Sequence, residues 1–175
     1  MSEIWLEIWT AARNEFADIP DVAEATRIVL RLGMAVLLGG LLGYERERSG
    51  KAAGLRTHML VALGAAIFVL VPLQGGMDVG DLSRVLQGVI AGIGFLGAGA
   101  IIKLGAEREI RGLTTSASIW MTAAIGVAAG MGREATAVVS TLMALFVLAV
   151  LRRVEARISE SQEKRVISTD DKSSP

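Results

Sequence analysis

The chain contains no cysteine and one histidine, His58. The first absence excludes disulfides, thiol redox chemistry and cysteine-ligated zinc, and the scarcity of histidine excludes a multi-histidine metal centre within one chain. Charge of neither sign is in excess: 18 basic residues balance 18 acidic ones, so nothing points to nucleic acid as a partner. No P-loop, no nucleophile with a base beside it and no metal-ligand motif occurs, and no soluble part is large enough to hold a substrate. The chain therefore reads as a non-enzyme. Its first 26 residues hold Glu3, Glu7, Glu15, Asp18, Asp21 and Glu24 but only one basic residue, Arg13, which is not the basic start of a cleavable signal peptide.

What is present is apolar length. Of 175 residues 52% are hydrophobic, the mean hydropathy is +0.51, and the charges are confined to short stretches between apolar runs. That pattern belongs to an integral membrane protein whose solvent is the lipid bilayer. Ile4, Trp5, Ile8, Trp9, Ala12 and Phe16 recur at helical spacing and predict an amphipathic helix over residues 3 to 17, lying at the membrane surface. Pro20 separates it from five apolar segments: Ile28 to Tyr44, Thr57 to Leu73, Leu86 to Lys103, Thr115 to Met131 and Ala135 to Leu151. Each meets the roughly 17 to 25 residues a spanning helix needs. The expected fold is all-α, a bundle of five transmembrane helices. Its parts are an interfacial segment (1–26), a transmembrane domain (27–151) and a short, polar, helical-then-disordered tail (152–175).

Orientation follows from Lys and Arg in the loops. The first loop carries Arg46, Arg48, Lys51 and Arg56, and the third Lys103, Arg108 and Arg111. The second has only Arg84 and the fourth only Arg133, whereas the tail adds Arg152, Arg153, Arg157, Lys164 and Arg165. This alternation places the N-terminus outside and the C-terminus in the cytoplasm. Arg31, at the outer end of span one, either snorkels to the interface or pairs with Asp78 or Asp81.

Gly54-Leu55-Arg56-Thr57 recurs 58 residues later as Gly112-Leu113-Thr114-Thr115, Leu38-Gly39 as Leu96-Gly97, and Ala65-Ala66-Ile67 as Ala123-Ala124-Ile125. Spans one and three run in the same direction, so the reading is a parallel two-helix internal repeat. Gly39 and Gly43, Gly88 and Gly92, and Gly126 and Gly130 are spaced i, i+4, which predicts close helix packing. Span three adds Gly94, Gly97 and Gly99, so it belongs at the centre of the bundle or at a subunit interface, and a homodimer across glycine-rich faces is expected.

The candidate site is the pair of charged turns. Glu45, Arg46 and Glu47 follow span one at once, and Lys103 follows span three. Thr57, Thr114, Thr115, Ser116 and Ser118 offer hydroxyls to cap the next helices, whose positive N-termini face the carboxylates. Carboxylates, hydroxyls and backbone groups suit a hard cation such as Mg²⁺ near Glu45, and equally a proton-sensing carboxylate. Arg56 and His58 complete the set, His58 either as a sensor of acidification or as a packing residue. The plain alternative is that these charges only set topology.

Glu45-Arg46-Glu47, Ala53-Gly54-Leu55-Arg56-Thr57-His58 and Leu60-Val61-Ala62-Leu63-Gly64-Ala65-Ala66 resemble the membrane domain of the MgtC/SapB family. So do Gly92-Ile93-Gly94-Phe95-Leu96-Gly97-Ala98-Gly99-Ala100-Ile101-Ile102-Lys103 and Gly112-Leu113-Thr114-Thr115-Ser116-Ala117-Ser118-Ile119-Trp120. The resemblance implies a bacterial inner-membrane protein linked to growth in low magnesium, to acid stress and, in pathogens, to survival inside host cells. It also implies regulation of another membrane complex such as ATP synthase. Many relatives carry a folded cytoplasmic domain after the fifth span, so this chain is expected to be closer to the short, SapB-like members. Three functions stay open: a regulator sensing a cation or proton, a transporter or channel for Mg²⁺ or H⁺, and an assembly protein binding another complex.

Overall fold

The computed structural model describes residues 2–15, 21–104 and 109–150 of the chain. The elements are α1 (Ser2–Glu15), α2 (Val22–Arg48), α3 (Leu55–Gln74), α4 (Val79–Gly99), β1 (Ile102–Leu104), β2 (Glu109–Arg111) and α5 (Leu113–Gly130), followed by α6 (Glu134–Val150). Of the five expected spans, α2, α3, α4 and α5 are long and apolar enough to cross a membrane. The fifth, α6, is apolar but shorter within the described residues. The tail from residue 151, and residues 16 and 17 of the expected surface helix, lie outside the described residues.

Local chemistry explains the ends. Helix α2 starts earlier than expected because Asp21 is its N-cap, the side chain accepting from the Glu24 amide at 2.7 Å. The third span, expected to run to Lys103, ends at Gly99 instead. Small residues give a helix end little to hold it, and the β-branched Ile101-Ile102 that follows suits an extended chain. Residues 102–104 and 109–111 accordingly pair as an antiparallel hairpin, with Lys103 opposite Ile110, the one departure from an all-α fold among the described residues. Gly112 closes it at φ +95, where a Cβ would run into the Ala100 carbonyl.

The core lies between α2, α3, α5 and α6 and is built largely of alanine: Ala35, Ala62, Ala66, Ala129 and Ala137, with Leu38, Leu42 and Ile125. Backbones meet directly. A Cβ on Gly126 would collide with the Ala62 carbonyl, one on Gly130 with that of Ala66, and one on Gly39 would stand 2.7 Å from the His58 carbonyl oxygen. In lipid such close approach, not burial from water, holds helices together. Helix α3 is thus clamped between the glycines of α2 and those of α5.

Helix α4 does not occupy the centre. Only Leu82 and Gly97 are buried in it, and Gly88, Gly92, Gly94 and Gly99 meet nothing. Small side chains permit contact but provide little apolar surface to make it. The central helix is α5, with Ile119, Ala123, Ile125, Gly126, Ala129 and Gly130 among its buried residues. Grooves of about 490 Å³ against α3 and about 220 Å³ against α5 flank α4. Trp120 stands on the wall of the second, half exposed. Arg31 forms no ion pair with Asp78 or Asp81 among the described residues. Its guanidinium fills the space beside Gly132 in the α5–α6 turn, 2.6 Å from where a Cβ would stand.

Candidate functional site

Apolar bundles bury polar side chains rarely, and this one gathers most of its buried polar residues at one end. Arg46 (2% exposed), His58 (0%), Thr115 and Ser118 are buried where the C-terminal turns of α2 meet the first turns of α3 and α5, and Thr122 is buried one turn further along α5. The approach is close because Gly43 lets α2 in: a Cβ there would lie 2.7 Å from Leu55 Cα and 3.0 Å from His58 Cβ.

The carboxylates divide their work. Glu45 accepts from the Arg46 guanidinium and, at 2.9 Å, from the Ser49 hydroxyl one turn on. Glu47 reaches across the loop to α3, its Oε2 accepting the Leu55 amide at 2.8 Å. Gly54 makes room for it, since a Cβ at that N-cap would stand 2.7 Å from the same oxygen. The carboxylate satisfies an orphan amide and meets the positive end of α3. The hydroxyls expected to cap do not: Gly54 and Gly112 are the N-caps, neither with a side-chain cap. Thr57, Thr114, Thr115, Ser116 and Ser118 fall inside the first turns of these helices, past the position from which a side chain reaches back.

The imidazole of His58 bridges α3 to α5. Its Nδ1 is 2.9 Å from the Gly54 carbonyl and its Nε2 3.2 Å from Ser118 Oγ. The Ser118 hydroxyl in turn lies 2.8 Å from the Thr115 carbonyl, and Thr122 donates to the Ser118 carbonyl at 2.8 Å. Arg46 and Glu45 stand within electrostatic range of the ring.

Of the residues expected at the site, Glu45, Arg46, His58, Thr115 and Ser118 come together. Ser116 packs against Gly97, whose Cβ would lie 2.5 Å from its hydroxyl. Arg56 and Thr114 are exposed, and Thr57 is half-buried. Lys103 lies in β1. Ser49, the Gly54 carbonyl and Thr122 escaped sequence reasoning. Two of them carried a signal: Ser49 is one turn beyond Glu45, and Thr115, Ser118 and Thr122 recur at the spacing of one helix face. Among the described residues no three of His, Cys, Asp and Glu converge as they would to hold a metal ion. With Glu45 held by Arg46 and Ser49, and Glu47 by an amide, this donor set is not a cage of free oxygens for Mg²⁺.

Comparison with known proteins places the site in context. A family model described as MgtC family matches residues 32–157. The chain is 40% identical over 158 residues to Protein SrpB of Synechococcus elongatus, covering 83% of this chain and 86% of that protein. It is 41% identical over 137 residues to YhiD of Escherichia coli K12, described as a candidate magnesium transporter, covering 74% of this chain and 63% of YhiD. It is 40% identical over 144 residues to Protein MgtC of Salmonella paratyphi A, covering 79% and 61%. The match thus spans less than two thirds of YhiD and of MgtC. No solved structure matches.

Proposed function

The chain belongs to the MgtC family, and from that premise we propose that it is a non-enzymatic regulator of Mg²⁺ or acid-stress homeostasis in the bacterial inner membrane. It is a multi-pass membrane protein. Its basic loops support an orientation with the buried polar end towards the cytoplasm. The description of YhiD supports the link to magnesium.

One observation carries the regulatory reading. A guanidinium and an imidazole, 2% and 0% exposed, sit at the junction of α2, α3 and α5. Ionisable groups at membrane depth cost several kcal/mol unless partnered, so their presence marks function by default. Both have partners, Arg46 in Glu45 and His58 in Gly54 and Ser118, and Gly39 and Gly43 bring α2 directly against His58, which suits a device that changes helix packing better than a path through which an ion passes. A cation at Glu45 would have to displace Arg46; a proton would not. The pair also supports the parallel-repeat reading, since Gly54 and Gly112 each start a helix at this end.

The test is growth of a strain lacking the protein, carrying wild type or Glu45→Gln at equal membrane levels. The variant should fail to restore growth in low Mg²⁺ or at acid pH; full restoration would remove the cluster from the function. A second reading, cation transport, draws on a groove of about 390 Å³ between α2, α5 and α6, where Thr114, Ser118 and Ser140 interrupt walls such as Leu42 and Met143. Ser118, the residue that His58 touches, is among those that line it.

A further inference from the structure

The bonds around His58 cannot all exist with a neutral ring. Gly54 O is a carbonyl and only accepts, so the contact at 2.9 Å requires a proton on Nδ1. A neutral imidazole carries one proton, which leaves Nε2 bare and in need of a donor. The group facing Nε2 at 3.2 Å is the Ser118 hydroxyl, whose single proton is also aimed at the Thr115 carbonyl, 2.8 Å away. One hydroxyl proton cannot serve both.

We infer that His58 and Ser118 form a proton-binding site that joins α3 to α5 in two alternative hydrogen-bond arrangements. In the neutral arrangement Nδ1–H donates to Gly54 O, the Ser118 hydroxyl donates to Nε2, and the Thr115 carbonyl loses that donor. When a proton arrives at Nε2 the hydroxyl turns round: Nε2–H donates to Ser118 Oγ and Oγ–H to Thr115 O. Every donor then has an acceptor, and the net change is one proton bound. The bond between the helices becomes charge-assisted and stronger, so proton binding tightens α3 against α5.

The charges around the ring are few. Helix α2 presents Glu45 and Arg46, which oppose each other in their effect on an added positive charge, and Glu47 stands at the N-cap beside Gly54. Arg56 on α3 is exposed, and α5 contributes only hydroxyls, having no titratable residue over Leu113–Gly130. Access is short: Ser118 also lines the groove between α2, α5 and α6.

This site rests on the reading of the buried cluster as the working part of the protein, and a spectroscopic test separates the two. Because His58 is the sole histidine, solid-state NMR of the full chain labelled with ¹⁵N-histidine in lipid bilayers reports on this ring alone. Between about pH 8 and about pH 4, a window carried below that of a free histidine because the ring is buried, the ring should pass from the Nδ1–H tautomer, the less favoured one for a free histidine side chain, to a form protonated on both nitrogens. Ser118→Ala should lower the proton affinity about fivefold, since a hydrogen bond from a charged donor is worth roughly twice a neutral one. Ser118→Thr, which keeps a hydroxyl, should restore it. An Nε2–H tautomer in the neutral form, an unchanged ring across that range with the chain folded, or Ser118→Ala titrating as wild type would each overturn the site. Such a result with Glu45→Gln still defective in growth would leave the proposed function standing.

Discussion

Replacing Gly126 by alanine adds one methyl group, and the structure says where it goes. The new Cβ would overlap the Ala62 carbonyl oxygen and lie 2.8 Å from Ala62 Cα and 2.9 Å from its carbonyl carbon. All three are backbone atoms of α3, so no rotamer change relieves the clash. Carbon contacts relax only near 3.4–4 Å, which means α3 and α5 must part by roughly 1 Å along their most intimate seam. Overpacking of this kind costs about 1–3 kcal/mol. Alanine's better helix propensity returns about 1 kcal/mol, and separation also strips contacts from Gly130 and Ala66, so the loss should win. Gly33→Ala in α2 is the control: nothing lies within 4 Å of its added Cβ, leaving the propensity gain alone. Thermal unfolding of the purified protein in one detergent should put Gly126→Ala below wild type and Gly33→Ala at or above it. Equal stability of the two variants would refute the claim that α3 is clamped by backbone contact.

Glu47→Ala removes the acceptor of the Leu55 amide and should cost about 1 kcal/mol, read as earlier amide exchange in the first turn of α3; unchanged exchange would show the cap to be idle. Arg46→Met strips Glu45 of its cation and should cost about 3 kcal/mol or more, and Glu45→Gln in the same chain should recover part of it, since an unpaired charge is worse than none; strict additivity in unfolding would deny the pair. In a chain without cysteine, Gly92→Cys on the open face of α4 should crosslink copies in native membranes if this face carries the expected homodimer, and only monomer would count against that interface.

The order of the apolar helices was legible because length and periodicity are local properties, but the expected starts of α3 and α5, Thr57 and Thr115, fall two residues late, because hydroxyls were expected to cap where Gly54 and Gly112 do. Placement was not. The glycines of α4 resemble those of α2 and α5 in spacing, yet Gly39, Gly126 and Gly130 press on α3 while Gly88 and Gly92 face open space; spacing states that a helix can be approached, not by what. Glu47 looked like a cation ligand because its own segment does not reveal that the loop folds the Leu55 amide back onto it. The bond from His58 to Ser118 spans 60 residues and depends on the register of α3 against α5, which core alanines and glycines determine together. The hairpin after α4 was hidden by apolar residues that suit a span and a strand alike.

The central claim is that the buried junction of α2, α3 and α5 senses rather than conducts. Purified wild-type chain in sealed liposomes, with Mg²⁺- and pH-sensitive dyes inside, tests it most directly. The account predicts no Mg²⁺ or H⁺ flux above that of empty vesicles. Saturable flux that disappears in Glu45→Gln, with the variant equally folded and inserted, would contradict it and make the same cluster part of a transport path.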